Sequence, residues 1–131
     1  MSAANLQAAY KQNATNTASP GELTLMLYNG CLKFINRAKL AIEEGNIEQR
    51  NENIARAEAI MRELMVTLKT DSDVGKNMLA LYDFIVHLLI QANIKNDLKA
   101  LEEAEGFVKD FRDTWKEVIK IDRMQRHGAK S

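Results

Sequence analysis

The chain of 131 residues has little of what usually marks a chemistry or a compartment. It has one cysteine, Cys31, so no internal disulfide can form. A lone thiol inside an apolar run reads as core filling and suits a reducing compartment. It has one proline, Pro20, so nothing forces a break in a helix after that point. It has no excess of either charge, with 18 Lys and Arg against 18 Asp and Glu. That balance leaves no electrostatic footprint for a nucleic acid or an anionic membrane. No run approaches the roughly 20 apolar residues of a membrane span, so no membrane insertion is expected. The opening "MSAANLQAAYKQN" has neither a basic start nor an apolar stretch, which argues against a signal peptide and for a cytoplasmic protein. The length allows one domain, able to bury about two thirds of its unfolded surface without a disulfide or metal.

Convergent titratable groups are equally scarce. There are two histidines. His127 stands in a polar tail, and His87 follows Asp83 by four residues, a spacing that pairs them on one helix face. The chain has no Glu-x-x-His pair, no Gly-rich phosphate loop, no Cys-x-x-Cys and no nucleophile beside a histidine. No catalytic, cofactor or metal site is expected, and the protein reads as a non-enzyme.

What the chain does have is apolar residues at helical spacing throughout. The periodicity predicts an all-α fold, an antiparallel up-down-up-down four-helix bundle with a flexible or short-helical N-terminal arm. The arm covers residues 1–18, the helices about 19–44, 46–68, 73–95 and 97–122, and a frayed tail residues 123–131. Ser19 caps the first helix, Pro20 takes the first helical position, and Glu22 reaches back to the Ser19 amide. Gly45 supplies a left-handed stop, while Asp73 and Asp97 cap the third and fourth helices. Gly106, mid-helix, implies close approach of a neighbouring helix.

Two helices carry more apolar surface than one seam needs. In the first, Leu23, Leu27, Cys31 and Phe34 make the core face, and Leu25, Tyr28 and Leu32 form a second strip. In the third, Val74, Met78, Leu81, Ile85, Leu88 and Ala92 make the seam, helped by Tyr82 and Leu89. There Leu79, Val86 and Ile90 form the second strip, with Phe84 lying elsewhere. The fourth helix places Leu98, Leu101, Ala104, Val108, Phe111, Trp115 and Val118 inward, and the second Ile47, Ile54, Ala57, Met61, Leu64 and Leu68. Side strips of this kind either widen the core or take up a partner's amphipathic helix. A histidine phosphotransfer-type bundle centred on His87 is one alternative, although Ile90 and Gln91 stand where such domains carry Lys and Gly. A purely structural, self-associating bundle is another.

"AYKQNATNTASPGELTLMLYNGCLKFINRAKLAI" resembles the N-terminal half of the flagellin-specific export chaperones, the FliS family. Tyr10, Thr17, Ala18, Ser19, Pro20, Glu22, Leu23, Met26, Leu27, Tyr28 and Gly30 match the family pattern in order. Leu81, Tyr82, Asp83, Leu89, Ala92, Asn93, Asp97 and Trp115 stand at matching places further on. Asn29, Cys31 and Phe84 depart from it, and "KTDSDVGKNM" lacks the paired glycines common before the third helix. The resemblance implies a cytoplasmic, non-enzymatic chaperone that binds the C-terminal helical segment of flagellin. It would prevent premature polymerisation and deliver flagellin to the flagellar type III export apparatus. Co-chaperones and flagellar regulators are further candidate partners. The candidate contact residues are then Leu25, Tyr28, Leu32, Leu79, Val86 and Ile90 from the strips, together with Asn93. Tyr10 joins them as the anchor of an arm that lies over the groove in the free protein.

Overall fold

The protein is described by a computed structural model over residues 20–130. The arm, with Tyr10 and the expected Ser19 cap, lies outside the described residues. The chain forms α1 (Pro20–Glu43), α2 (Ile47–Thr67), α3 (Asp73–Lys95) and α4 (Leu98–Lys130). Helix α1 packs against α2 and α4, and α3 packs against the same two, so α1 and α3 stand on one diagonal and α2 and α4 on the other. With such short connections, successive helices run antiparallel and enclose a single core.

Each connection has its own local chemistry. At the end of α1, Gly45 takes φ +70°. Its amide donates to the Ile42 carbonyl at 3.1 Å, and the Asn46 amide donates to Ala41 at 2.8 Å. These two bonds are the Schellman pattern that satisfies a helix's last carbonyls. The Asn46 side chain then accepts from the Gln49 amide at 3.1 Å, so one residue closes α1 and opens α2. The cap of α3 is Ser72, whose hydroxyl accepts from the Gly75 amide at 3.1 Å. Asp73, expected as the cap, is instead the first helical residue. Gly75 is where α2's exit segment folds back, and any Cβ there would run into the Lys69 carbonyl. Asn96 ends α3 in the left-handed region at φ 53°. Asp97 then caps α4, accepting from the Ala100 amide at 3.1 Å and from Gln91 Nε2 at 3.0 Å.

The core takes Cys31 and Ile35 from α1, Ile54 and Met61 from α2, Ile85 and Leu89 from α3, and Leu101 and Val108 from α4. Cys31 is fully enclosed, and burial pushes its thiol up to about 12. Three aromatics tie the middle together. The Tyr28 and Tyr82 hydroxyls meet at 2.5 Å, and the Phe111 ring lies 5.9 Å from Tyr28 and 5.1 Å from Tyr82.

Several expectations change. The buried face of α3 is centred about 50° further round, toward Val86, at 100° per residue. Tyr82 and Leu89 therefore lie at its middle, while Leu81 and Val74 are exposed. In this phase Tyr82 points at the bundle's centre, where its hydroxyl meets that of Tyr28. Ile47 and Val118 are also exposed rather than inward. By length and composition α3 is apolar enough to cross a membrane, a test that the core helix of a bundle also passes. Tyr82, Ile85, Val86, Leu88, Leu89 and Ala92 go into the core, while Val74, Leu81, Phe84 and Ile94 stay exposed. Helix α4 extends past 122 to Lys130, with an exposed Arg126–Asp122 pair at 2.6 Å in its later turns. With 33 residues it is about 50 Å long against about 36 Å for α1. It passes the first turn of α1, where Trp115 Nε1 donates to the Gly21 carbonyl at 2.7 Å and Arg123 pairs with Glu22. Gly106 is exposed, and among the described residues no neighbouring helix comes within 4 Å of where its Cβ would stand, contrary to the close approach expected there.

Candidate partner-binding surface

Helix α1 has two neighbours, and both of its flanks are buried. Lys39 stands seven residues from Leu32 and pairs with Glu105 of α4 at 3.2 Å, which marks that flank as facing α4. On the opposite flank the Arg56 guanidinium of α2 lies 5.5 Å from the Phe34 ring centre. The buried arc runs from Gly30 to Leu32, about 200° around the axis. Tyr28 and Leu32 of its second strip thus lie inside the bundle, and Leu25 is half-buried.

This corrects the expected contact set. Tyr28 is 1% exposed, Leu32 5% and Val86 2%, and all three belong to the core. Leu79, Ile90 and Asn93 are half-buried on α3, with Ile90 packed against the core. Asn93 Oδ1 is buried without a hydrogen-bond partner among the described residues. Leu25 is half-buried and lines an open cleft of about 440 Å³ between α1 and the late turns of α4, with Ile119 and Met124. The structure therefore does not gather these residues into one surface.

One group of exposed apolar residues lines the seam between α3 and α4. Leu81 (41% exposed) and Phe84 (44%) on α3 face Phe107 and the half-buried Phe111 on α4. Phe84 and Phe107 meet edge to face, with ring centres 5.7 Å apart and planes at 78°. Two adjoining hollows open here. One, of about 460 Å³, is lined by Phe84, Glu103, Gly106, Phe107 and Asp110. The other, of about 270 Å³, is lined by Leu81, Phe107, Asp110, Phe111 and Thr114. Val118 and Ile121 continue the stripe along the same flank of α4, and both are exposed.

The sequence held a partial signal for this groove. Phe84 lies outside the α3 seam, and Phe107 sits one residue off the α4 stripe. Two bulky aromatics away from their seams mark a surface with a use. Their partnership across helices is not visible in either helix alone.

The groove offers hydrophobic and aromatic contact area with an acidic edge. Among the described residues no three His, Cys, Asp or Glu side chains stand together as a metal site would need. His87 Nδ1 lies 2.8 Å from the carbonyl oxygen of Asp83 in its own helix, and 3.6 Å from that residue's carboxylate, with both side chains exposed.

Comparison with known proteins places the chain in a family. The family model described as flagellar protein FliS matches residues 2–122. The flagellar secretion chaperone FliS of Bacillus subtilis (strain 168) is 52% identical over 129 residues, covering 98% of this chain and 97% of that protein. The chaperone of the same name from Escherichia coli (strain K12) is 35% identical, covering 82% of each chain. A solved structure described as a flagellar chaperone from bacteria superimposes with a TM-score of 0.73 at 21% identity, over 88% of this chain and 98% of its own, and shares the fold. The protein belongs to the FliS family of flagellar secretion chaperones.

Proposed function

We propose that this protein holds the C-terminal helical segment of newly made flagellin, keeps it from polymerising, and passes it to the flagellar type III export apparatus in the cytoplasm. The observation that carries the reading is the exposed groove between α3 and α4, walled by Leu81, Phe84 and Phe107. An amphipathic helix laid into such a groove buries apolar surface on both sides. Covering one large side chain is worth roughly 1.5–3 kcal/mol, so a few contacts reach useful affinity. Flagellin subunits assemble through their terminal helices, so occupying one end blocks filament growth. Nothing in this task requires a reaction; the chaperone binds, shields and releases. The family membership supports the reading at the level of flagellar secretion.

Calorimetry with purified flagellin tests it. Wild-type protein should bind, and Phe84→Asp or Phe107→Asp should bind at least about tenfold more weakly while keeping its helical circular dichroism. Undiminished binding by both variants removes the groove from the reading, and no binding by the wild type removes flagellin.

A further inference from the structure

Among the described residues nothing packs against Gly106. It stands in the interior of α4, where glycine weakens a helix relative to alanine. Its φ is not positive, and a Cβ added there would meet nothing within 4 Å. Neither backbone geometry nor packing within the chain calls for it. Yet it lies in the groove beside Phe107, between Glu103 three residues before it and Asp110 four residues after.

Those two carboxylates are the acids of α4 that line the groove; like Glu102 and Glu117 they stand apart from the helix's paired acids. Glu105 is held by Lys39 and Lys109, Asp113 by Arg112, and Asp122 by Arg126. Glu103 and Asp110 are exposed and make no ion pair among the described residues. The groove thus combines an aromatic wall, a point with no side chain, and two free negative charges one turn to either side of that point.

Resting on the reading that this groove receives flagellin's helical segment, we propose that the segment crosses α4 directly over Gly106. It presents a small side chain (Gly, Ala or Ser) at the crossing and a Lys or Arg near Glu103 or Asp110. Without a Cβ on α4, the two helix axes can approach to the short end of the usual 8–10 Å range. Close approach brings the partner's apolar face down onto Phe84 and Phe107. The acids at the edge steer a basic side chain and set the register of the docked helix, acting on encounter and specificity more than on tightness.

Binding of full-length flagellin to the full-length chaperone tests this, with Gly106→Ala, Gly106→Leu, the pair Glu103→Lys with Asp110→Lys, and Phe84→Asp compared at several salt concentrations. Gly106→Leu should stay folded and bind at least about tenfold more weakly, because its side chain fills the crossing point. Gly106→Ala should melt higher than wild type and bind more weakly. The charge reversals should weaken binding at low salt and remove its salt dependence. Should Gly106→Leu lose helicity, Gly106→Ala decides through higher melting with lower affinity. If Phe84→Asp abolishes binding and both Gly106 variants bind like wild type, the crossing is overturned and the groove stands. If Phe84→Asp binds like wild type, the groove itself falls. An unchanged salt dependence in the charge-reversed protein overturns the basic contact.

Discussion

The hydroxyl of Tyr28 on α1 meets that of Tyr82 on α3 at 2.5 Å, across the diagonal of the bundle. These helices make no close backbone approach to each other, so the two phenols bridge them through the core. Burial above all raises the pKa of both, so both remain neutral at any physiological pH. One donates and the other accepts, and each is the partner that makes the other's burial tolerable.

Replacing either tyrosine alone should therefore cost more than its lost bond. Tyr28→Phe or Tyr82→Phe leaves one buried hydroxyl unpaired, at about 1–3 kcal/mol each. The double variant removes both polar groups and should be destabilised by less than the sum. Urea unfolding of the four proteins gives the coupling, and a strictly additive double variant would mean that the contact contributes nothing.

Leu32→Asp and Val86→Asp should unfold the protein. Both side chains are buried, and an unpaired buried charge costs about 3–5 kcal/mol against a typical total of 5–15 kcal/mol. Leu81→Asp should fold, because Leu81 already faces solvent across the α4 groove. Thermal melts followed by circular dichroism separate the two outcomes. A cooperative Leu32→Asp variant would place α1's second strip outside the core after all.

Two glycines of similar sequence standing should respond in opposite ways to alanine. Gly75→Ala pushes a methyl into the Lys69 carbonyl and should destabilise by about 1–3 kcal/mol. Gly106→Ala has open space and should stabilise by about 1 kcal/mol. Denaturation midpoints of both variants, measured side by side, check the contrast.

Asp97 should make stability fall in acid. The Ala100 amide and then the Gln91 side chain hold its carboxyl below the usual carboxylate range. With the folded pKa lower than the unfolded one, the cap's contribution is fully present above about pH 4 and fades as pH drops through the folded value. Asp97→Asn should flatten that part of the curve. A pH–stability profile unchanged by the substitution would show that the carboxylate does not contribute.

The Cys31 thiol should be silent toward thiol reagents in the folded protein at pH 8. It is enclosed by core residues, and its pKa is pushed up to about 12. Labelling should then proceed only through opening of the bundle and speed up in urea. Rapid labelling in buffer alone would show that α1 opens locally.

The sequence determined the number of helices, where the first three stop, and most of the inward residues. Those features are local. Gly45 and Asn46 specify a helix stop and the next start through bonds to residues within a few positions. Asp97 does the same before α4, and the repeat of Ile54, Met61 and Leu68 tracks one face of one helix. Tertiary structure decided what each flank meets. A helical wheel shows that α1 has two apolar strips, but only α2 and α4 standing on either side turn Tyr28 and Leu32 into core. Likewise, the seam of α3 is ambiguous by about half a residue's rotation until the packed bundle sets Tyr82 beside Tyr28 at the centre, leaving Leu81 in the open. The groove belongs to two helices at once. Phe84 and Phe107 are 23 positions apart in the chain, and only antiparallel packing of α3 and α4 brings their rings within 5.7 Å. A periodicity counts residues along one axis, and a surface of this kind is made by the angle between two.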